Sequence, residues 1–377
     1  MRASLATLFV VATLVALAIA TLLLRGMFSS GYTEGSDTLA HLFRIQQVGD
    51  FLRDPGGLFD WTDDWYGGFH QFSLYPYLAY LPAGVLDAIT DSPVASMKAV
   101  TFAAMLAGGI GCAGCVFLLT WAEIDRLARG IAAGAAALLF MMTPAFLGFM
   151  FGFGEYSDFV AISVAPLLLL LFLVVIRHDS TALWLLYGAG LAILVLLHPH
   201  VGLSAAIGHA VLLLFSRHAS LRAFVGFAYA AVLAIVLSLY FWVPFLLLRD
   251  SAGDPSLGTP FTDPIWSIKL GDYFDAERQL RYIGPWLLLL AGVGLLAQRY
   301  RRDSIPLVMM GIAGAVIALG GALPLSERLP VLDLVNPERG LVALFPAISV
   351  LAGLGVLSII RGANASLAPW QAAAAGV

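Results

Sequence analysis

This sequence is poor in charge. Asp, Glu, Lys and Arg supply 12% of its 377 residues, about half the roughly 25% usual in soluble globular domains. Hydrophobic residues supply 60%, and the mean hydropathy is +0.90. A soluble fold is thereby excluded, and a polytopic membrane protein is expected. No basic stripe exists, so nucleic acid is not a partner. Cysteine is nearly absent: Cys112 and Cys115 stand in a GCAGC run inside an apolar stretch. There the reading is of small residues at a helix contact, with Gly108, Gly111 and Gly114, rather than a redox or metal pair. Internal repeats are not visible, and low complexity is confined to the Ala-rich tail after Arg361.

What the sequence does have is a series of apolar runs. They fall at about 5–24, 97–121, 130–151, 159–176, 182–197, 201–215, 223–248, 284–298, 305–322 and 341–360. A bilayer core of about 30 Å takes roughly 20 residues per helix, so about ten spans are expected, with no room for a separate soluble domain. The first run is longer than a typical signal-peptide apolar region and reads as a retained anchor. The stretch 74–90, with Pro76 and Pro82, decides the topology. If it does not cross, one side receives ten basic residues (Arg2, Arg126, Arg129, Arg177, Arg217, Arg222, Arg299, Arg301, Arg302 and Arg361) against four acids. That bias is the mark of a cytoplasmic face, and a crossing at 74–90 would break it. The expectation is therefore an all-α protein of the cell (plasma) membrane, one transmembrane domain over 1–377, with both termini cytoplasmic. It carries a large first outer loop, 25–96, with two interfacial helices. A second outer loop, 249–283, is rich in Gly and Pro and reads as a mobile cover.

The outer segments hold the chemistry-bearing residues. After Gly35-Ser36-Asp37 a helix is expected to about Leu52, which sets Asp37, His41 and Arg44 on one face. A carboxylate, an imidazole and a guanidinium on one stripe suit an acidic or hydroxyl-bearing ligand, although Asp37 or Ser36 is also a natural N-cap. Trp65 and Tyr66 lie among acids and aromatics from Phe59 to His70, a mixture that suits sugar stacking and equally a membrane interface. Glu155 and Asp158 are three apart in a short outer turn, close enough for one helical turn to present both; ionisable groups at the membrane boundary are costly enough to raise a functional suspicion. His198-Pro199-His200 joins two apolar runs, and two histidines without a third ligand are a weak metal signal. Arg339, just before the last run, could clamp a phosphate or anchor the interface.

These motifs carry a resemblance. Gly35-Ser36-Asp37 with His41, Trp65-Tyr66-Gly67-Gly68, Ser73-Leu74-Tyr75-Pro76, Gly154-Glu155 and Leu197-His198-Pro199-His200 resemble the GT-C superfamily of membrane glycosyltransferases. The closer likeness is to prokaryotic membrane proteins labelled 6-pyruvoyl-tetrahydropterin synthase-related, although no pterin-synthase zinc site is seen. The GT-C likeness implies sugar transfer from a polyprenyl-phosphate donor to a hydroxyl acceptor in the cell envelope, on the outer face and with inversion. It implies Asp37 as the first-loop acid and Glu155 or Asp158 as the second, with Arg339 or His200 at the departing phosphate. No cofactor is assigned, and a divalent metal is left open. Two rivals stand beside this reading: a transporter or flippase of a lipid-linked or anionic solute, and a non-catalytic membrane partner.

Overall fold

The computed structural model describes residues 5–32, 35, 37–54, 61–62, 69–70, 72, 75–123, 125–248, 283–296, 301–319 and 337–375. Helices dominate: α1 (Leu5–Leu23), α2 (Thr38–Arg53), α3 (Leu81–Thr90), α4 (Pro93–Leu119), α5 (Arg126–Met141), α6 (Pro144–Gly148) and α7 (Tyr156–His178). They continue with α8 (Thr181–Leu197), α9 (Pro199–Phe215), α10 (Leu221–Leu237), α11 (Leu239–Leu248), α12 (Pro285–Leu296), α13 (Arg301–Leu319) and α14 (Leu341–Ala375). Among the described residues a two-residue antiparallel pairing, Trp61–Thr62 with Phe69–His70, is the exception.

Among the described residues five stretches are long and apolar enough to cross a membrane: Pro93–Leu119, Arg126–Gly152, Tyr156–His178, Arg302–Leu319 and Leu341–Ala363. A sixth arises if α10 and α11, bent by 62° at Ser238, are one broken span. At the bend the Ser238 hydroxyl donates to the Ala234 carbonyl at 2.7 Å, the i−4 side-chain bonding that often accompanies bent helices. Several other apolar runs form shorter helices. α8 and α9 have 17 residues each, about 25 Å at 1.5 Å per residue, just short of the bilayer core. The chain is thus an all-helical membrane protein with at least five candidate spans.

The GCAGC region behaves as its small residues dictate. Both cysteines are free and buried, and Gly108, Gly111 and Gly114 bring α4 against Ser163, Pro166 and Leu170 of α7. α5 packs on the other side of α4, with α1 and α14 against α5 in turn. An aromatic stack joins these layers, with Phe146 and Phe159 at 4.5 Å and Phe146 edge-on to Phe345.

α2 and α3 are the two helices between α1 and α4. α3 is ten residues long, far too short to span, and it lies against α2 and α4. Arg53 fastens the pair, bonding Asp50 at 2.7 Å and Asp87 and Asp91 at 3.3 Å. Charge is also sorted along the bundle. α7 begins near Asp158 and ends at Arg177, and the pairs Arg217–Asp303, Arg222–Asp179 and Arg361–Glu123 lie at that second end. Nineteen residues of helix separate Asp158 from Arg177, about 29 Å, close to one bilayer core. The loop 249–282 and most of 55–71 fall outside the described residues, and with them the mobile-cover expectation. α14 runs through the Ala-rich tail to Ala375, beyond the expected end at 360, as strong helix formers allow.

Candidate functional site

Local backbone builds the site first. After α6 the chain makes a π-helical turn, Phe149–Phe153, and leaves it through Gly154 in the left-handed region at φ 75. Glycine is required here twice over, because a Cβ at this position would also collide with the Thr38 hydroxyl oxygen. The turn therefore abuts the first residues of α2, and Asp37 and Glu155 each adjoin one member of that contact. π turns often mark functional positions.

Behind the turn, α7 opens with Glu155, Ser157 and Asp158, all buried. Their partner is Arg339, 181 residues later, on a 3-10 turn at Pro337–Gly340. Arg339 donates to both Asp158 oxygens at 2.7 and 2.8 Å and to Glu155 Oε2 at 2.8 Å. Asp158 is 3% exposed, Glu155 6% and Arg339 5%, so three ionised groups are held out of water by mutual pairing. Such charge-assisted, partly bidentate bonds are strong and fix geometry.

His198 joins from the α8–α9 corner, where the extended backbone of one residue ends one helix and starts the next. Its Nε2 lies 3.3 Å from Asp158. Its Nδ1 is buried with no hydrogen-bond partner among the described residues, and the His200 ring lies 5.7 Å away.

A tyrosine-lined wall closes the other side. Tyr75 shares a hydrogen bond with Ser157 at 2.9 Å, and Tyr156 donates to the Ala79 carbonyl at 3.0 Å. Tyr80 and His41 Nδ1 meet at 2.7 Å. The Arg44 guanidinium rests over the Tyr75 ring at 4.5 Å, a cation–π contact, and its buried Nε has no partner among the described residues. Burial, with Arg44 beside it, pushes His41 down to about 3, so it is a neutral imidazole at physiological pH. Burial raises the Tyr75 and Tyr80 phenols, which stay protonated as donors. Asp37 differs from the other two acids. It is exposed at the head of α2 and makes no capping bond.

The sequence candidates thus fall into three sets. Glu155, Asp158, His198, His200 and Arg339 converge; His41 and Arg44 reach them through Tyr75; Asp37 adjoins the Gly154 turn. Trp65 and Tyr66 lie outside the described residues. Sequence reasoning passed over Tyr75, Tyr80, Tyr156 and Ser157 as site members, although repeated Tyr in the apolar stretch 74–90 was the available signal. Among the described residues the donor set does not fit a resident divalent cation, since Arg339 occupies both Asp158 oxygens and one of Glu155. Among the described residues no group of three or more His, Cys, Asp or Glu is arranged to hold a metal.

Residues 72–367 match the profile of a family described as 6-pyruvoyl-tetrahydropterin synthase related domain, a membrane protein. The chain belongs to this family. Among curated proteins none matches it. The synthase-related family match holds the whole ion cluster and the tyrosines from Tyr75 onward, and it leaves out α1 and α2. Within this synthase-related chain, Asp37, His41 and Arg44 therefore come from an N-terminal segment laid over the family-matched core.

Proposed function

We propose that this cluster is the centre of an outer-face glycosyltransferase of GT-C type, which moves a sugar from a polyprenyl-phosphate donor to a hydroxyl acceptor with inversion. The observation that carries the reading is the convergence of a buried Arg339–Asp158–Glu155 triad with His198 under a helix bearing Asp37 and Arg44. In this reading the chain crosses the bilayer about ten times, and 74–90 lies at the outer surface. The cluster then faces outward and the arginine-bearing ends face the cytoplasm, as the positive-inside rule requires.

The roles follow from which groups are already engaged. Asp37 has a solvent-accessible carboxylate, so it is the general base that takes the acceptor hydroxyl's proton. The acceptor oxygen bonds to the anomeric carbon as the bond from that carbon to phosphate oxygen breaks, and the phosphate leaves with the electron pair. Arg44, with no carboxylate pair among the described residues, meets the phosphate charge. Glu155, Asp158 and Arg339 hold one another, and with His198 they form the rigid floor on which donor and acceptor are oriented.

The test is transfer by purified protein from a polyprenyl-phosphate sugar to an alcohol acceptor. Asp37→Asn is expected to lower turnover by at least 100-fold, on the order of what general-base catalysis supplies, with unchanged melting temperature. Full activity in that variant would remove Asp37 from the role of base. A transporter reading is the rival, and it is favoured if intact lipid-linked solute crosses liposomes bearing the protein with no covalent product.

A further inference from the structure

A cavity of about 340 Å³ lies next to the Phe149–Phe153 turn, with Met150 and Phe151 in its lining. Its walls include Leu23, Leu24, Met27, Met97, Met150 and Phe151, and Lys98 stands at its rim. The volume falls in the range of small-ligand pockets. Leu23 and Leu24 place it at the end of the first apolar run, where hydrocarbon gives way to headgroups. Three methionines give it an adaptable apolar lining, suited to a flexible chain rather than a rigid solute.

Lys98 Nζ donates to the Ser29 carbonyl at 2.6 Å, and among the described residues no carboxylate pairs with it. A cation with spare donors at the mouth of an apolar cavity calls for an anionic head on an apolar tail. The π turn divides this cavity from the ion cluster: Met150 and Phe151 line the cavity, whereas Phe149 packs on the Arg339 guanidinium at 5.6 Å. An occupant here therefore braces the turn that carries Glu155, and its phosphate does not sit at the reacting centre.

We propose that this cavity is a binding site for an anionic phospholipid, its acyl chain between Met27, Met97 and Met150 and its phosphate on Lys98, which stabilises the Phe149–Phe153 turn from behind. The site stands apart from the transfer reaction and holds whether or not that reaction occurs.

The test is native mass spectrometry of the delipidated full chain titrated with dioleoyl phosphatidylglycerol, paired with melting curves. The wild type and Lys98→Arg are expected to bind one lipid more tightly than Lys98→Ala by about fivefold, the worth of one lysine at an anionic headgroup. Melting should rise with this lipid in the first two proteins and less in the third. Equal retention of dioleoyl phosphatidylcholine, or equal affinity in Lys98→Ala, would overturn the proposal. Displacement of the phosphatidylglycerol by stoichiometric farnesyl phosphate would overturn it too, by assigning the cavity to a polyprenyl phosphate.

Discussion

Replacing Arg339 with methionine removes the guanidinium that bonds both Asp158 oxygens and one Glu155 oxygen at 2.7–2.8 Å. Two carboxylates, 3% and 6% exposed, are then left buried beside one another. Breaking a buried pair from one side costs about 3–5 kcal/mol, because the remaining charge keeps its desolvation penalty without its compensation. At roughly 2–4 °C per kcal/mol for a large domain, the apparent melting temperature in detergent should fall by on the order of 10 °C. The discriminating partner is the triple variant Arg339→Met, Asp158→Asn, Glu155→Gln, which removes all three charges together. It is expected to recover more than half of the loss, since neutral isosteres need far less compensation. Thermal unfolding followed by tryptophan fluorescence at a fixed scan rate measures both. If the single variant melts within 2 °C of wild type, or the triple variant melts below the single, the triad is not a buried, mutually compensating unit.

Other outcomes follow from the same geometry. His41 has its native value lowered to about 3 from an ordinary 6.5, so the unfolded chain binds the extra proton between those values. The stability tied to a neutral His41 is complete above pH 6.5 and falls by about 1.4 kcal/mol per unit below it; melting curves of His41→Gln should be visibly flatter from pH 7 to 5 than those of wild type, and identical slopes would refute the assignment. Gly154→Ala meets both a left-handed φ of 75 and the Thr38 hydroxyl, and should cost about 1–3 kcal/mol while loosening α2, measured as faster amide exchange at Thr38–Leu42. Single cysteines at Ala122 and Arg302, in a chain with Cys112 and Cys115 replaced by alanine, should label from the same side of the membrane, opposite to one at Asp37. Labelling from opposite sides would end the ten-span topology.

Composition and run length made the helical membrane architecture legible, because only a helix satisfies its own backbone in lipid. The helix after Asp37 was readable too: α2 ends at Arg53, one residue beyond the sequence expectation. Run length was a close guide to the extent of α8 and α9 as well, Thr181–Leu197 and Pro199–Phe215 against runs at 182–197 and 201–215. At the site, Glu155 and Asp158 were visible as acids three apart in an apolar context, and Arg339 as a cation immediately before the last helix. Their pairing was not visible, since it joins residues 181 and 184 apart and no local pattern encodes such a contact. Because both acids engage Arg339, the proposed reaction assigns an incoming phosphate to Arg44 instead. The tyrosine wall was hidden for another reason: Tyr at a membrane surface is ordinary, and only tertiary contact gives Tyr75 and Tyr80 their partners Ser157 and His41.

The most direct measurement is a mass balance with wild-type protein in liposomes carrying a polyprenyl-phosphate sugar and supplied externally with a hydroxyl acceptor. The account predicts one polyprenyl phosphate released per glycoside formed, with the anomeric configuration inverted in the product's proton spectrum. Donor that crosses the bilayer or remains bound, with its sugar still attached and no glycoside in solution, would contradict it.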